Sequence, residues 1–378
     1  MSSQRKRRGL SSPAERHAAR RTGGTRASSR ASSRASSVSE ESQAQLRQLQ
    51  TQLGDLQEEL LLTAVQDDLD EIRTTLTLLP TEMETLRSRG YVFRSFLEQK
   101  VQVLTSQWED ASSEASREIV RRTRELQREA DEAENALQLA MGGGTVPISR
   151  AESAVEALEF KVAGAQSAVR AMYDTLQQNV NQTKAQIEEI RWLLEELEQA
   201  SFRLHPAEDP VAVCKAQYME TKKDGPKGLL YLTDERLIFE QKEKKATKKV
   251  LFIATEKETV QDVIFSVPIG QIERVETSQK GFLGRKEIME LVFAPEADLS
   301  GALIRLRGTD NEAWAGLIGR VQSGEIVKER SRPKEEAVLE AVQNVPTTCP
   351  TCGAAIEVAV VRGMRQITCE YCGSVIRI

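Results

Sequence analysis

Gly228-Leu-Leu-Tyr-Leu-Thr-Asp-Glu-Arg-Leu-Ile-Phe239 is the stretch on which the fold turns. Two short apolar runs flank Thr233-Asp234-Glu235, and tyrosine, isoleucine and phenylalanine suit a pleated, half-buried surface. The stretch reads as a β-hairpin. Upstream, Val211 to Met219 alternates apolar with other residues, as a strand does. Downstream, strand candidates cover 250–255, 260–267, 271–277, 286–293 and 302–307. Thr309 or Asp310 then caps a helix carrying Trp314. About seven strands and a terminal helix describe a small β-barrel with a helical plug.

On the N-terminal side the periodicity is helical. Leu46, Leu49, Leu53, Leu56 and Leu60 step by three and four, and a second register runs from Leu62 through Val65, Leu69, Ile72, Leu76, Leu79 and Met83 to Leu86. The shift between them implies a local skip, and Pro80 is expected to kink or end the second helix. A third run starts at Leu97 and reaches Ala140. Gly142-Gly143-Gly144 and Pro147 interrupt it, and a fourth begins near Ala151 with Val155, Leu158, Val162, Ala165, Val169, Met172 and Leu176. Asn179 and Thr183 are polar seam positions, Asn179 fitting a register-specifying role. The glycine turn favours an antiparallel coiled-coil hairpin within a helical region at 41–204. His205-Pro206 and Asp209-Pro210 end it.

Residues 1–40 hold ten lysines and arginines against two acidic residues, a net +8, so with a chain total of −5 the remainder stands at −13. Almost wholly Ser, Arg, Ala and Gly, this tail is expected to be disordered. Arg-Ala-Ser-Ser repeats at Arg26, Arg30 and Arg34 suit basophilic kinases, whose phosphates would cancel the positive charge. The chain has no apolar run of about eighteen residues, so no spanning helix is expected. No apolar stretch follows the N-terminal charges, so they are not read as a secretory signal.

Four of the five cysteines form two pairs, Cys349-Pro-Thr-Cys352-Gly353 and Cys369-Glu-Tyr-Cys372-Gly373. A spacing of two lets both sulfurs of a pair reach one ion, and the following glycine permits the positive φ of a tight turn. Two such turns supply the closed four-thiolate shell of structural Zn²⁺. Two disulfides or a redox pair are the competing reading, disfavoured in a reducing compartment. With Ala354–Val361 and Met364–Thr368 as strands, residues 347–378 resemble a zinc ribbon held together by metal. With no open coordination position, this zinc would not be catalytic.

Gly228 to Phe239 resembles the opening hairpin of GRAM domains, which share the pleckstrin-homology (PH) barrel. Val267-Pro268-Ile269-Gly270-Gln271-Ile272, Gly284-Arg285-Lys286-Glu287 and the helix with Trp314 fit the same family. The resemblance covers roughly 210–325, within a GRAM/PH-like domain at 205–325, with 326–346 as a charged linker. It implies a docking module whose basic loops can meet anionic lipid. Lys222, Lys223 and Lys227 are placed in the first loop, and Lys242, Lys244, Lys245, Lys248 and Lys249 in a later one. Lys280, Arg285 and Lys286 lie beside Phe282, and Cys214 reads as a small core residue.

Neither histidine, His17 or His205, has metal or triad spacing, and HExxH, GxSxG and phosphate-loop patterns are missing. No enzyme is expected. The modules point to a cytoplasmic scaffold or adaptor, peripheral to a membrane, that self-associates as a homo-oligomer and docks to a protein partner or membrane surface. The alternative is a nucleic-acid-associated protein using its basic tail and zinc ribbon.

Overall fold

The structure, a computed structural model, describes residues 28–141, 145–219, 225–250, 253–280, 286–334, 346, 348–356 and 366–377. It divides into two compact units, residues 1–63 with 119–167, and residues 64–118 with 168–378. Helices α1 (Ser28–Glu59), α2 (Thr63–Ser88), α3 (Phe96–Ala140) and α4 (Thr145–Glu198) come first.

In the first unit, Leu49, Leu53, Leu56 and Leu60 are buried, as are Leu126, Ala130, Ala133, Val155, Leu158 and Val162. Glu129 on α3 and Lys161 on α4 form an ion pair at 2.5 Å. Helix α1 begins at Ser28, well inside the segment expected to be a disordered tail. Arginine and alanine there are good helix formers, so they extend a helix nucleated by the leucine seam. The expected skip is a break in the helix: Leu62 takes a left-handed φ of 52° while fully buried. The triplet Gly142-Gly143-Gly144 lies outside the described residues.

In the second unit, α2 does not stop at Pro80 but continues to Ser88. A proline inside a helix costs about 3 kcal/mol. Seven buried side chains from Val65 to Leu86 line this helix, each stabilising by roughly 1.5–3 kcal/mol, and they outweigh it. At the following corner the Arg87 guanidinium donates to the carbonyls of Tyr91 (3.0 Å) and Phe93 (2.7 Å) and to the Glu98 carboxylate (2.7 Å). On α4 the seam takes Tyr173 and Val180 instead of Met172 and Asn179, which are only half-buried. A straight helix drifts against a strict seven-residue repeat, so the buried stripe moves by one position. Asn179 therefore does not fill a core position. Thr183 does, with its hydroxyl donating to the Asn179 carbonyl at 2.7 Å.

Seven antiparallel strands follow: β1 (Pro210–Tyr218), β2 (Lys227–Thr233), β3 (Arg236–Val250), β4 (Ile253–Pro268), β5 (Ile272–Lys280), β6 (Lys286–Phe293) and β7 (Gly301–Leu306). Their order is β4-β3-β2-β1-β7-β6-β5, so β4 and β5 are edges and the sheet is open where a closed barrel was expected. The two candidates at 250–255 and 260–267 belong to β4 alone, except its first residues. Lys242 to Lys249 lie within β3, not in a loop. In the β3–β4 register, Lys245 and Lys248 stand at the positions opposite Glu258 and Glu256. Lys222, Lys223, Phe282 and Arg285 lie outside the described residues, and Lys227 opens β2.

Leu230, Tyr231, Leu232, Leu237, Ile238 and Phe239 are all fully buried. The quoted hairpin is thus the centre of the core. Phe239 stacks on Phe265 with centroids 6.0 Å apart. Helix α5 (Asn311–Gln322) is capped by Asp310, whose carboxylate accepts the Ala313 N–H at 2.7 Å. It buries Trp314, Ile318 and Val321, and Asn311 ties it to the Ser278 and Ile288 carbonyls.

Candidate functional site

The second cysteine pair approaches the first from two near-identical turns. Cys349 N–H donates to the Ala354 carbonyl and Gly353 N–H to the Cys349 carbonyl, both at 2.8 Å. Cys369 with Ser374 and Gly373 repeats the arrangement at 2.9 and 2.8 Å. Gly353 and Gly373 both have φ of 71°, where a side chain would be strained. The four sulfurs lie within 4.8 Å of one another, with Cys349–Cys372 at 3.6 Å and Cys352–Cys369 at 3.7 Å. Tetrahedral zinc–thiolate bonds place sulfurs roughly 3.8 Å apart, so the donor set fits a metal ion. A disulfide is about 2.05 Å long, far shorter than these separations.

Cys349 and Cys369 are buried with Ile376, and Ile356 packs on them. The Ser374 hydroxyl, then its backbone N–H, pull the Cys372 thiol down to about 6. The short strands here are β8 (Gln366–Thr368) and β9 (Val375–Arg377), paired across the second turn, with Thr348 bridging to Ala355. The expected strand Ala354–Val361 is described only to Ile356. Arg362 and Arg365 lie outside the described residues.

A second cluster joins His205, Glu208 and Glu235, with His205 Nδ1 3.1 Å from Glu235. Glu208 is fully buried and holds Arg236 at 2.8 and 3.0 Å and the Thr233 hydroxyl at 2.7 Å. Its oxygens are committed to these donors, which makes this an ion-pair cluster and not an open cation site. Cys214 is buried as expected, and burial pushes its thiol pKa up, away from nucleophilic use.

The residues missed by sequence reasoning lie where the helices meet the sheet. A 3-10 turn at Glu325–Glu329 buries Ile326, and Arg330 pairs with Asp209 and with Asp234 (3.3 Å). The Arg330 side chain is only 2% exposed, and its guanidinium lies 5.1 Å from the centre of the Phe93 ring. Ser95 N–H donates to the Glu329 carbonyl at 2.9 Å, and Ser331 N–H to the Val92 carbonyl at 2.7 Å. Lys334 reaches Asp234 at 3.0 Å. The first part of the expected linker is thus a strap clamping the α2–α3 corner to β1 and the β2–β3 turn. Its charged composition, Glu325 to Lys334, looks like a solvated linker, because the partner carboxylates are about a hundred residues away in sequence.

Beside this junction a cleft of about 890 Å³ opens between α4, the start of β1, the end of β7 and α5. Trp192, Leu193, Val211, Val213, Trp314 and Leu317 give it apolar walls, and Arg94, Lys215, Arg307 and Arg320 give it a basic rim.

No family model matches the sequence, and no curated protein matches it. Solved structures do. A Vps36 N-terminal PH domain is similar at 16% identity and TM-score 0.21, over 32% of this chain and 84% of that one. The DH/PH domains of p115-RhoGEF (R399E mutant) are similar at 15% identity and TM-score 0.20, over 75% and 98%. Those of PDZ-RhoGEF, in complex with GTP-gamma-S activated RhoA, are similar at 11% and 0.26, over 73% and 95%. Likenesses this remote carry no argument about what this chain binds or does. The strand order and the terminal helix described above carry the fold.

Proposed function

We propose that this chain is a non-enzymatic adaptor. Its helices self-associate as coiled coils, its GRAM/PH-like sheet domain docks a protein partner, and a zinc ribbon of Cys349, Cys352, Cys369 and Cys372 closes the described chain. The observation that carries the reading is the apolar surface left on the helices after their own seam is filled. In the first unit Leu139, Met141 and Phe160 are 69%, 59% and 81% exposed on α3, just after it, and on α4. Phe160 borders a cleft of about 410 Å³ lined by Leu126, Gly164 and Ala165. Large exposed apolar side chains on paired helices, one of them beside a cleft, suit a surface covered by another chain. A protein partner is favoured over lipid for the sheet domain because the Lys242–Lys249 run belongs to a paired strand and not to a loop, and Lys242 is bound to Glu196 at 2.6 Å.

Sedimentation equilibrium of the full chain tests self-association. A concentration-dependent dimer or higher oligomer is expected, weakened at least about tenfold by Phe160→Glu. A wild-type chain that stays monomeric at about 100 μM overturns it.

A further inference from the structure

Strand β1 pairs with β2 along its whole length but with β7 only at Ala216, Gln217 and Tyr218. The direction of its backbone groups alternates. Tyr218 N–H donates to the Pro226 carbonyl on the β2 side at 2.9 Å. On the β7 side, Lys215 C=O accepts the Arg307 N–H at 2.9 Å and Met219 N–H donates to the Leu303 carbonyl at 2.8 Å. Odd-numbered residues therefore address β7. Val213 is the next in that series, and β7 has already ended at Leu306, with Gly308 at φ 70° turning the chain toward α5. Among the described residues no strand pairs with β1 on this side between Pro210 and Cys214. The Val213 N–H and C=O face the cleft, while the Val211 carbonyl meets the Tyr91 hydroxyl at 3.4 Å.

The charges around this open edge are unevenly satisfied. Arg94 pairs with Glu189 at 3.1 Å, and Arg320 pairs with Glu329. Lys215 has only the Trp192 ring, 5.8 Å away, and Arg307 has the neutral Gln217 amide at 3.0 Å. Among the described residues neither cation has a carboxylate within ion-pair distance, and both stand beside unpaired strand groups and an apolar wall. On α5, Gly316 lines the cleft, and a Cβ added there would meet nothing within 4 Å.

We propose that the free edge of β1 accepts an extended segment of a partner protein as an added strand, in which acidic residues alternate with apolar ones. Main-chain groups of the segment bond to Val213, its apolar side chains lie against Trp192 and Leu317, and its carboxylates meet Lys215 and Arg307. A lipid headgroup would satisfy the two cations and leave the strand edge unpaired, which is why a peptide is favoured. This rests on the adaptor reading and names the chemistry of its docked partner.

The test is selection on immobilised full-length chain from a pool of octapeptides in which Asp or Glu alternates with Val, Ile, Leu or Phe. A pool with Lys or Arg in the acidic positions and vesicles containing phosphatidylserine run beside it. Enrichment of the acidic pool is expected, with slowed amide exchange at Val213. Gly316→Trp, which fills the cleft from an exposed helix position, should weaken the selected peptides at least about tenfold. Lys215→Glu with Arg307→Glu should do the same and shift selection toward the basic pool. No enrichment, equal enrichment of both pools, or unchanged binding in both variants overturns the proposal. Vesicle binding lost in Gly316→Trp without peptide selection overturns it in favour of lipid. Self-association is read separately by sedimentation, so failure of one is not failure of the other.

Discussion

Tyr91 sits at the α2–α3 corner with its ring 1% exposed, 6.3 Å from Phe93 and edge-on to it. Burial pushes its phenol pKa up to about 12, against the opposing pull of Arg94 and Arg87. A raised pKa means the fold prefers the protonated phenol. Its contribution is complete below the unfolded value of 10.0 and is lost as pH rises through about 12. The full-length chain should therefore lose urea resistance over that window. Tyr91→Phe should lose less, by roughly 2–3 kcal/mol at the top of the window. Urea denaturation of both proteins at neutral pH and at about pH 11, where the difference should be about 1–1.5 kcal/mol, checks this, and parallel losses would refute it. Burial likewise raises Tyr231 and Tyr173, so some alkaline loss remains in the variant. None of this was legible in the sequence. Tyr91-Val92-Phe93 reads as a short apolar loop after Gly90, and only packing makes it a buried corner.

At the scale of elements, the hairpin from Gly228 to Phe239 and the cap at Asp310 were legible because local chemistry decides them. The same holds for the two cysteine turns, where spacing and the following glycine suffice. The Lys242–Lys249 run was not legible as a strand, because its place there depends on backbone pairing with β4. The cysteine segment carries its own prediction. Among the described residues its buried side chains are Cys349, Ile367, Cys369 and Ile376, a small apolar core for which metal is expected to supply the missing stability. Cys369→Ser should drop bound zinc from a full equivalent to well below half, measured by elemental analysis. Amide protection in β1–β7 should be unchanged. Retention of a full equivalent would rule out four-cysteine ligation.

For the molecule as a whole, the decisive contact in the second unit is Arg330. It is buried with Asp209 and Asp234 on the sheet side and Phe93 on the helix side. Removing one partner of a buried ion pair leaves an uncompensated charge and typically costs about 3–5 kcal/mol. Arg330→Ala should lower urea stability by that order. It should also expose the Gly90–Ser95 corner to protease, which a purely local loss at residue 330 would not do. Stability within about 0.5 kcal/mol of wild type would show the strap to be dispensable. By itself the sequence determined the helical and strand-rich halves, most of the helix seam, the core hairpin and the four-cysteine set. Each depends on periodicity or on residues a few positions apart. Tertiary structure alone decided that the sheet stays open, that Pro80 is absorbed, and that residues 325–334 are a strap. It also decided that, among the described residues, β1 has no strand partner on the β7 side between Pro210 and Cys214, beside Lys215 and Arg307. These depend on partners far apart in the chain, such as Arg330 with Asp209, and no local pattern encodes a contact across about 120 residues.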